Sequence, residues 1–196
     1  MSLLVQAFRE EVSKSKDYGM KVEVEPNISY PTTFLSYDFR NGMLVQAVDD
    51  KGTPCPYYSV GIQDGSMVMV IGRSGCGKTT WVIQAAGGII KPFKTSCIFH
   101  DDIESGVTND RKRLLTEMTP EEMETRYIHR NTGITAENFY ERIKMIHDIK
   151  SKNRSEYEYD TKRYDELGNR IFKLEPTVYI LDSLSLLMPE KYSQED

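Results

Sequence analysis

The chain has 196 residues, 39% of them hydrophobic and 28% charged, an ordinary composition with enough length for one packed α/β core. Its 25 basic residues against 30 acidic ones leave a net charge of -5, so no overall positive field directs it to nucleic acid, and any such contact has to be local. No window approaches about 18 consecutive apolar residues, the start lacks the regions of a signal peptide, and Cys55, Cys76 and Cys97 form no CxxC pair. These features argue against a membrane span, a disulfide framework and a zinc site, and a cytoplasmic location is expected.

Residues 3–16 place Leu4, Phe8 and Val12 on one helical stripe. They predict an N-terminal amphipathic helix or arm over residues 1–20, packed on this core or on a neighbour. Val22 and Val24 alternate with Glu23 like a short strand, and residues 33–39 read as a brief helix before Asn41 and Gly42. Residues 43–48 and 57–62 are β-rich runs on either side of Asp49, Asp50, Lys51 and Gly52, which predicts a hairpin. Residues 21–66 thus read as a lead-in segment ahead of a core over residues 67–196.

Residues 67–71 are a continuous apolar run, as expected of a strand buried on both faces. Directly after it, Gly72, Arg73, Ser74, Gly75, Cys76, Gly77, Lys78 and Thr79 satisfy G-x-x-x-x-G-K-[ST], the P-loop pattern. The chemistry needs those residue types. Glycines let backbone N–H groups turn inward as an anion nest, Lys78 reaches the β/γ-phosphates, and Thr79, followed by Thr80, offers a hydroxyl to Mg²⁺. The helix that begins here aims its positive end at the phosphates. Cys76 at that helix start is either a reactive thiol or a small loop filler. Residues 80–86 read as helix, closed by Gly87 and Gly88.

Residues 95–100 read as a second core strand, ending in Asp101, Asp102 and Glu104. Ligands of open α/β sheets lie beyond the carboxyl ends of the strands, which makes these acids site candidates, with helix capping as the competing reading. Residues 109–118 look helical. Thr119, Pro120, Glu121 and Glu122 combine a capping box with proline at the first helical position, and residues 126–129 suit a third strand. Thr135 caps a longer helix with Phe139, Ile143, Ile146 and Ile149 as its apolar stripe. Two β-rich runs, residues 157–164 and 170–174, flank Leu167, Gly168 and Asn169, so a hairpin insertion is expected over about residues 151–175. Tyr157, Tyr159 and Tyr164 are candidates for stacking on bases, with an interfacial role as the plainer reading. Residues 177–182 form an apolar strand ending in Asp182, the Walker B pattern, whose carboxylate holds the water shell of Mg²⁺. His100, His129 and His147 show no ligand spacing and read as structural. The basic clusters at residues 111–113, 150–154 and 162–163 read as solvated faces.

Ser183, not glutamate, follows Asp182, which argues against ATPases whose catalytic glutamate directly follows that aspartate. No Asn-Lys-x-Asp or Leu-Ser-Gly-Gly-Gln motif is present, so GTPase and transporter readings lose support. The run from Asp182 and Ser183 to Met188 and Pro189 resembles the Walker B strand and continuation of RecA-like ATPases, most closely bacterial and phage recombinases. Asp102, Ile103 and Glu104, ahead of Arg111, Arg113 and Leu114, are similar to that family's Asp-x-Glu segment. Residues 33–42 resemble its Gly-x-x-x-Leu-Asp lead-in, although Thr33 and Phe34 replace the usual Thr-Gly and the hairpin after them is additional.

The resemblance covers about residues 28–189 and implies an α/β fold with a RecA-like P-loop NTPase core: a mainly parallel sheet between helices, with added β-hairpins. It implies ATP and Mg²⁺ as cofactors, with Gly75, Gly77, Lys78 and Thr79 on phosphates and metal and Asp182 steadying the metal. Glu104 would be the general base, with Asp101 and Asp102 as alternatives. A finger from a neighbouring subunit would complete the site, so a homo-oligomer, filament or ring, and weak activity as a monomer are expected. The implied function is a DNA-dependent ATPase of homologous recombination or repair on single-stranded DNA. The alternatives are the motor of a hexameric replicative helicase, a P-loop small-molecule kinase with residues 150–170 as its lid, and a nucleotide-binding oligomerisation module without turnover. RecA-like domains continue past the Walker B strand, so the chain is expected to be truncated there, with DNA contacted through loops beyond residue 196.

Overall fold

The structure, a computed structural model, describes residues 28–189. The helix expected over residues 3–16 and the short strand at residues 22–24 lie outside the described residues. The described part is mixed α/β, with a small parallel sheet and several antiparallel hairpins.

The lead-in segment forms as its turn chemistry suggests. Strand β1 (Ser29–Tyr30) is followed by the short helix α1 (Leu35–Arg40), and β2 (Met43–Val45) pairs antiparallel with β3 (Tyr57–Ser59), Met43 opposite Ser59. The Asp49 carboxylate closes the turn between β2 and β3 by accepting from the backbone N–H groups of Lys51 at 2.9 Å and Thr53 at 2.7 Å. Strand β4 (Ile62–Gln63) returns to pair with β1. Asp38 of α1 is buried, and its carboxylate accepts from the Thr32 hydroxyl at 2.8 Å and backbone N–H at 3.0 Å. That pairing satisfies a charge that burial would otherwise make costly.

Helix α2 (Lys78–Ile90) buries Ile83, Ala86, Ile89 and Ile90 at helical spacing. The expected stop at Gly87 and Gly88 is corrected: both lie inside the helix. They serve close packing, because a Cβ on Gly87 would meet the Thr116 Cα at 2.8 Å and one on Gly88 the Thr33 Cγ2 at 2.5 Å. The helix ends instead on Arg126, whose guanidinium donates to the carbonyls of Ile90 at 2.8 Å and Phe93 at 2.6 Å. A cation at a helix C-terminus satisfies the orphan carbonyls and suits the dipole.

Strand β5 (Ile98–Asp102) is the middle of a three-stranded sheet. Helices α3 (Asn109–Thr116) and α4 (Pro120–Arg126) lead to strand β6 (Tyr127–Arg130), parallel to β5. The expected capping box forms, Thr119 accepting from the Glu122 N–H at 3.2 Å while Glu122 accepts from the Thr119 N–H at 2.9 Å. Helix α5 (Ala136–Lys152) is capped by Thr135 as expected, but its inward side is not the uniform apolar stripe predicted. Ile143 and Ile149 are exposed and Arg142 is buried in their place. The polar stretch after it is helical as far as α6 (Arg154–Tyr157), and the hairpin follows as β7 (Glu158–Tyr164) and β8 (Arg170–Leu174). Strand β9 (Val178–Asp182) then pairs parallel with the other side of β5.

The run at residues 67–71 corrects the largest expectation. It forms no strand, and Met67 and Ile71 are 85% and 84% exposed. A strand needs a hydrogen-bonded neighbour. The free edge of β9 is separated from this run by an apolar groove lined by Val68, Val70, Trp81, Ala85, Ile89 and Val178. Among the described residues, the run therefore has β-strand composition without a sheet to join.

The two faces of β5 are sorted by alternation. Phe99 and Asp101 face α5, where Arg142 reaches Asp101 and Phe139 meets Tyr179 edge-on at 5.2 Å. Ile98, His100 and Asp102 lie on the α2 side, where Ile98 joins Ile83, Ile90 and Ile180 in the core. Two stability outcomes follow from this packing. Gly87→Ala lowers the thermal midpoint by the equivalent of about 1–3 kcal/mol through overpacking against Thr116, although helix propensity alone would raise stability by about 1 kcal/mol. Arg142→Met strands the Asp101 carboxylate and costs about 3–5 kcal/mol in urea denaturation, and adding Asp101→Leu restores much of that loss.

Candidate nucleotide and metal site

The site begins where α2 begins. Gly75 and Gly77 take positive φ values of 75° and 87°, a region other residues enter only with strain, so the loop curls back over the first turn of α2. Residues 72–77 are solvent-exposed, and the Lys78 ammonium folds over them to donate to the Arg73 carbonyl at 3.1 Å. Lys78 thus already lies across the mouth of the loop. The loop is held on a well-fixed helix, since Trp81 in its first turn stacks on Phe34 at 5.4 Å and meets Tyr37 edge-on at 5.2 Å.

Thr79 and Asp182, 103 residues apart in sequence, come together: the Thr79 hydroxyl donates to Asp182 Oδ2 at 2.5 Å. Each arrives from the end of its own element, Thr79 from the first turn of α2 and Asp182 from the carboxyl end of β9. A hydroxyl and a carboxylate beside a glycine-rich helix N-terminus can share a hard cation. Arg111 on α3 donates to the Thr80 hydroxyl at 2.9 Å, which sets one guanidinium next to the same turn.

Of the three acids at the end of β5, each has a different setting. Asp101 is buried on the α5 side and accepts from Arg142 and from the Tyr179 hydroxyl, each at 2.5 Å, with Arg130 at 3.9 Å. Both Asp101 and Asp102 belong to the strand rather than to the loop after it. Asp102 is opposite Asp182 in the β5–β9 register, and the chain leaves β5 through the Ile103 N–H, which donates to the Asp182 carbonyl at 2.7 Å. Glu104, two residues beyond Asp102, is exposed at the start of the following loop.

The reading of His100 as merely structural misses a cluster. His100, Asp102 and Asp182 each present a donor atom, all within 4.8 Å of one another. His100 and Asp102 are 0% and 1% exposed, and neither His100 Nε2 nor Asp102 Oδ1 has a hydrogen-bond partner among the described residues. Burial pushes the His100 pKa down to about 4, so its imidazole is neutral at pH 7. Its Nδ1 lies 2.8 Å from the Tyr127 hydroxyl, and His129 Nε2 lies 3.3 Å from Asp102 Oδ2. Lys112 of α3 is buried beside them, its ammonium 5.9 Å from the centre of the Tyr127 ring, and burial lowers its pKa. Ligand spacing in a single strand is i, i+2, so the His100 and Asp102 pair was visible in sequence. Its partnership with Asp182 depends on strand order and was not.

The hairpin residues set aside for bases or a lid are engaged elsewhere. Tyr159 packs on Phe93 at 4.8 Å, Arg154 pairs with Glu158 at 2.6 Å, Arg170 with Asp160 at 2.7 Å, and Arg163 covers the Tyr57 ring at 4.5 Å. No helix among the described residues is long and apolar enough to cross a membrane. Comparison with family models, with curated proteins and with solved structures gives no match.

Proposed function

We propose that the chain binds ATP with Mg²⁺ on the loop of residues 72–79 and hydrolyses it, as the ATPase core of a RecA-type recombinase acting on single-stranded DNA. The observation that carries the nucleotide part is the 2.5 Å bond from the Thr79 hydroxyl to Asp182, made across 103 residues of sequence beside the glycine loop. Thr79 and Asp182 would hold the nucleotide's Mg²⁺, whose charge would offset that of the phosphates during phosphoryl transfer. Lys78 would swing from the Arg73 carbonyl to the phosphate oxygens, and backbone N–H groups around Gly75 and Gly77 would hold the remaining charge.

Glu104 is the base in this reading. It is exposed in the loop that follows β5, while Asp101 is consumed by Arg142 and Tyr179. The water it orients attacks the γ-phosphorus, ADP leaves, and the proton passes to the carboxylate. The recombinase assignment rests on the motif resemblance at residues 72–79, 102–104 and 182–189. The kinase alternative is weaker, because the arginines of its required lid are already paired within the hairpin or stacked on Tyr57.

Two measurements test the proposal at separate levels. Lys78→Ala weakens binding of a fluorescent ATP analogue by at least about tenfold, the scale of one lost charge-assisted hydrogen bond; unchanged affinity would remove the loop from nucleotide binding. Glu104→Gln lowers kcat by about 10²–10⁴-fold while nucleotide affinity stays within a few-fold, and single-stranded DNA accelerates hydrolysis by the unaltered protein. Hydrolysis indifferent to DNA would end the recombinase assignment and leave the ATPase standing.

A further inference from the structure

The proposed ATP chemistry makes no use of His100, and it leaves two buried atoms, His100 Nε2 and Asp102 Oδ1, without partners among the described residues. An unmet buried polar group is costly, and these two belong to residues whose donor atoms cluster within 4.8 Å of one another and of Asp182. The donor chemistry identifies what would. One imidazole nitrogen and two carboxylate oxygens suit a borderline dication, whereas Mg²⁺ and Ca²⁺ favour oxygen alone.

The surrounding groups prepare the imidazole for that task. When Nδ1 carries the proton and donates to the Tyr127 hydroxyl 2.8 Å away, the lone pair is left on Nε2, the ring nitrogen without a partner among the described residues. His129 fixes the Asp102 carboxylate through Oδ2 at 3.3 Å and leaves Oδ1 free. Lys112 is the cation facing the cluster from α3, yet its Nζ reaches no acceptor among the described residues, so it does not close the cluster itself. Ligands at about 2.0–2.2 Å from a metal are roughly 3–4 Å apart, so donors spaced within 4.8 Å close on an ion with shifts of about an ångström.

We propose that His100 Nε2, Asp102 Oδ1 and a carboxylate oxygen of Asp182 form a site for a first-row transition-metal dication, of which Mn²⁺ is the test case, filled without nucleotide. Asp182 is shared with the position assigned to the nucleotide's Mg²⁺, so the two ions would be neighbours. The site itself needs no nucleotide, and it stands or falls separately from ATP binding.

The experiment titrates the chelator-stripped chain with Mn²⁺ alone, following free Mn²⁺ by electron paramagnetic resonance and ligand identity by nitrogen modulation in pulsed spectra. The expected result is one saturable ion per chain that shows ¹⁴N coupling and resists about a tenfold excess of Mg²⁺. His100→Asn weakens binding at least about tenfold and abolishes the coupling. His129→Asn keeps the coupling, and Lys78→Ala, which weakens nucleotide binding, keeps both the ion and the coupling. Absence of saturable binding, binding without ¹⁴N coupling in the unaltered chain, or coupling that survives His100→Asn each overturns the proposal. The spectrum of the unaltered chain and of His129→Asn decides the matter even where His100→Asn fails to fold.

Discussion

The in-register parallel pairing of β5 with β9 is the constraint on which the rest of the site depends. It runs from Ile98 opposite Val178 to Asp102 opposite Asp182, and with strand alternation it determines the face on which every acid at the sheet's carboxyl end appears. A slip of one residue in β5 would carry Asp101 to the α2 side and leave Arg142 as a buried cation without its carboxylate. Breaking a buried pair in that way costs about 3–5 kcal/mol. The register is therefore specified by a charge pair on one face and by the Ile98 and Ile180 contacts with α2 on the other.

What could be read from the sequence was what local chemistry decides. The capping residues Thr119 and Thr135, the Asp49 turn and the hairpin around Gly168 each have their determinants within a few residues, and each forms where expected. The misreadings share a different origin. Residues 67–71 have the composition of a central strand, but composition cannot supply the neighbour that a strand requires. Gly87 looks like a helix stop until Thr116 is packed against it, and Arg142 interrupts an apolar stripe because its partner is on another element. The neighbour of His100 that sequence could not show is Asp182, which the β5–β9 register brings beside it.

Helix α2 turns these long-range contacts into a fixed platform for an otherwise exposed loop. Its first turn is held through Thr79 by Asp182 and through Trp81 by Phe34 and Tyr37, and its last turn is held by Arg126. Binding groups on a rigid element lose less freedom when a ligand arrives than the same groups on a free loop. The groove between β9 and residues 67–71 leaves one side of the same helix less enclosed, while Ile83, Ala86, Ile89 and Ile90 anchor its other side in the core.

The sheet ends in two aspartates with opposite fates, and the contrast argues for chemistry on one face only. Asp101 has acceptor needs met by Arg142, Tyr179 and, at longer range, Arg130, as structural carboxylates in a packed core should. Asp102, one residue later and equally buried, has one oxygen without a partner among the described residues, and one ring nitrogen of His100 on the same face likewise has none. Had packing alone shaped both faces, the adjacent Lys112 would be expected to neutralise Asp102 directly, yet its ammonium lies over the Tyr127 ring instead. Unmet polar atoms gathered beside Thr79 and Asp182, and satisfied ones on the far side, place the energetic cost where a bound cation would relieve it.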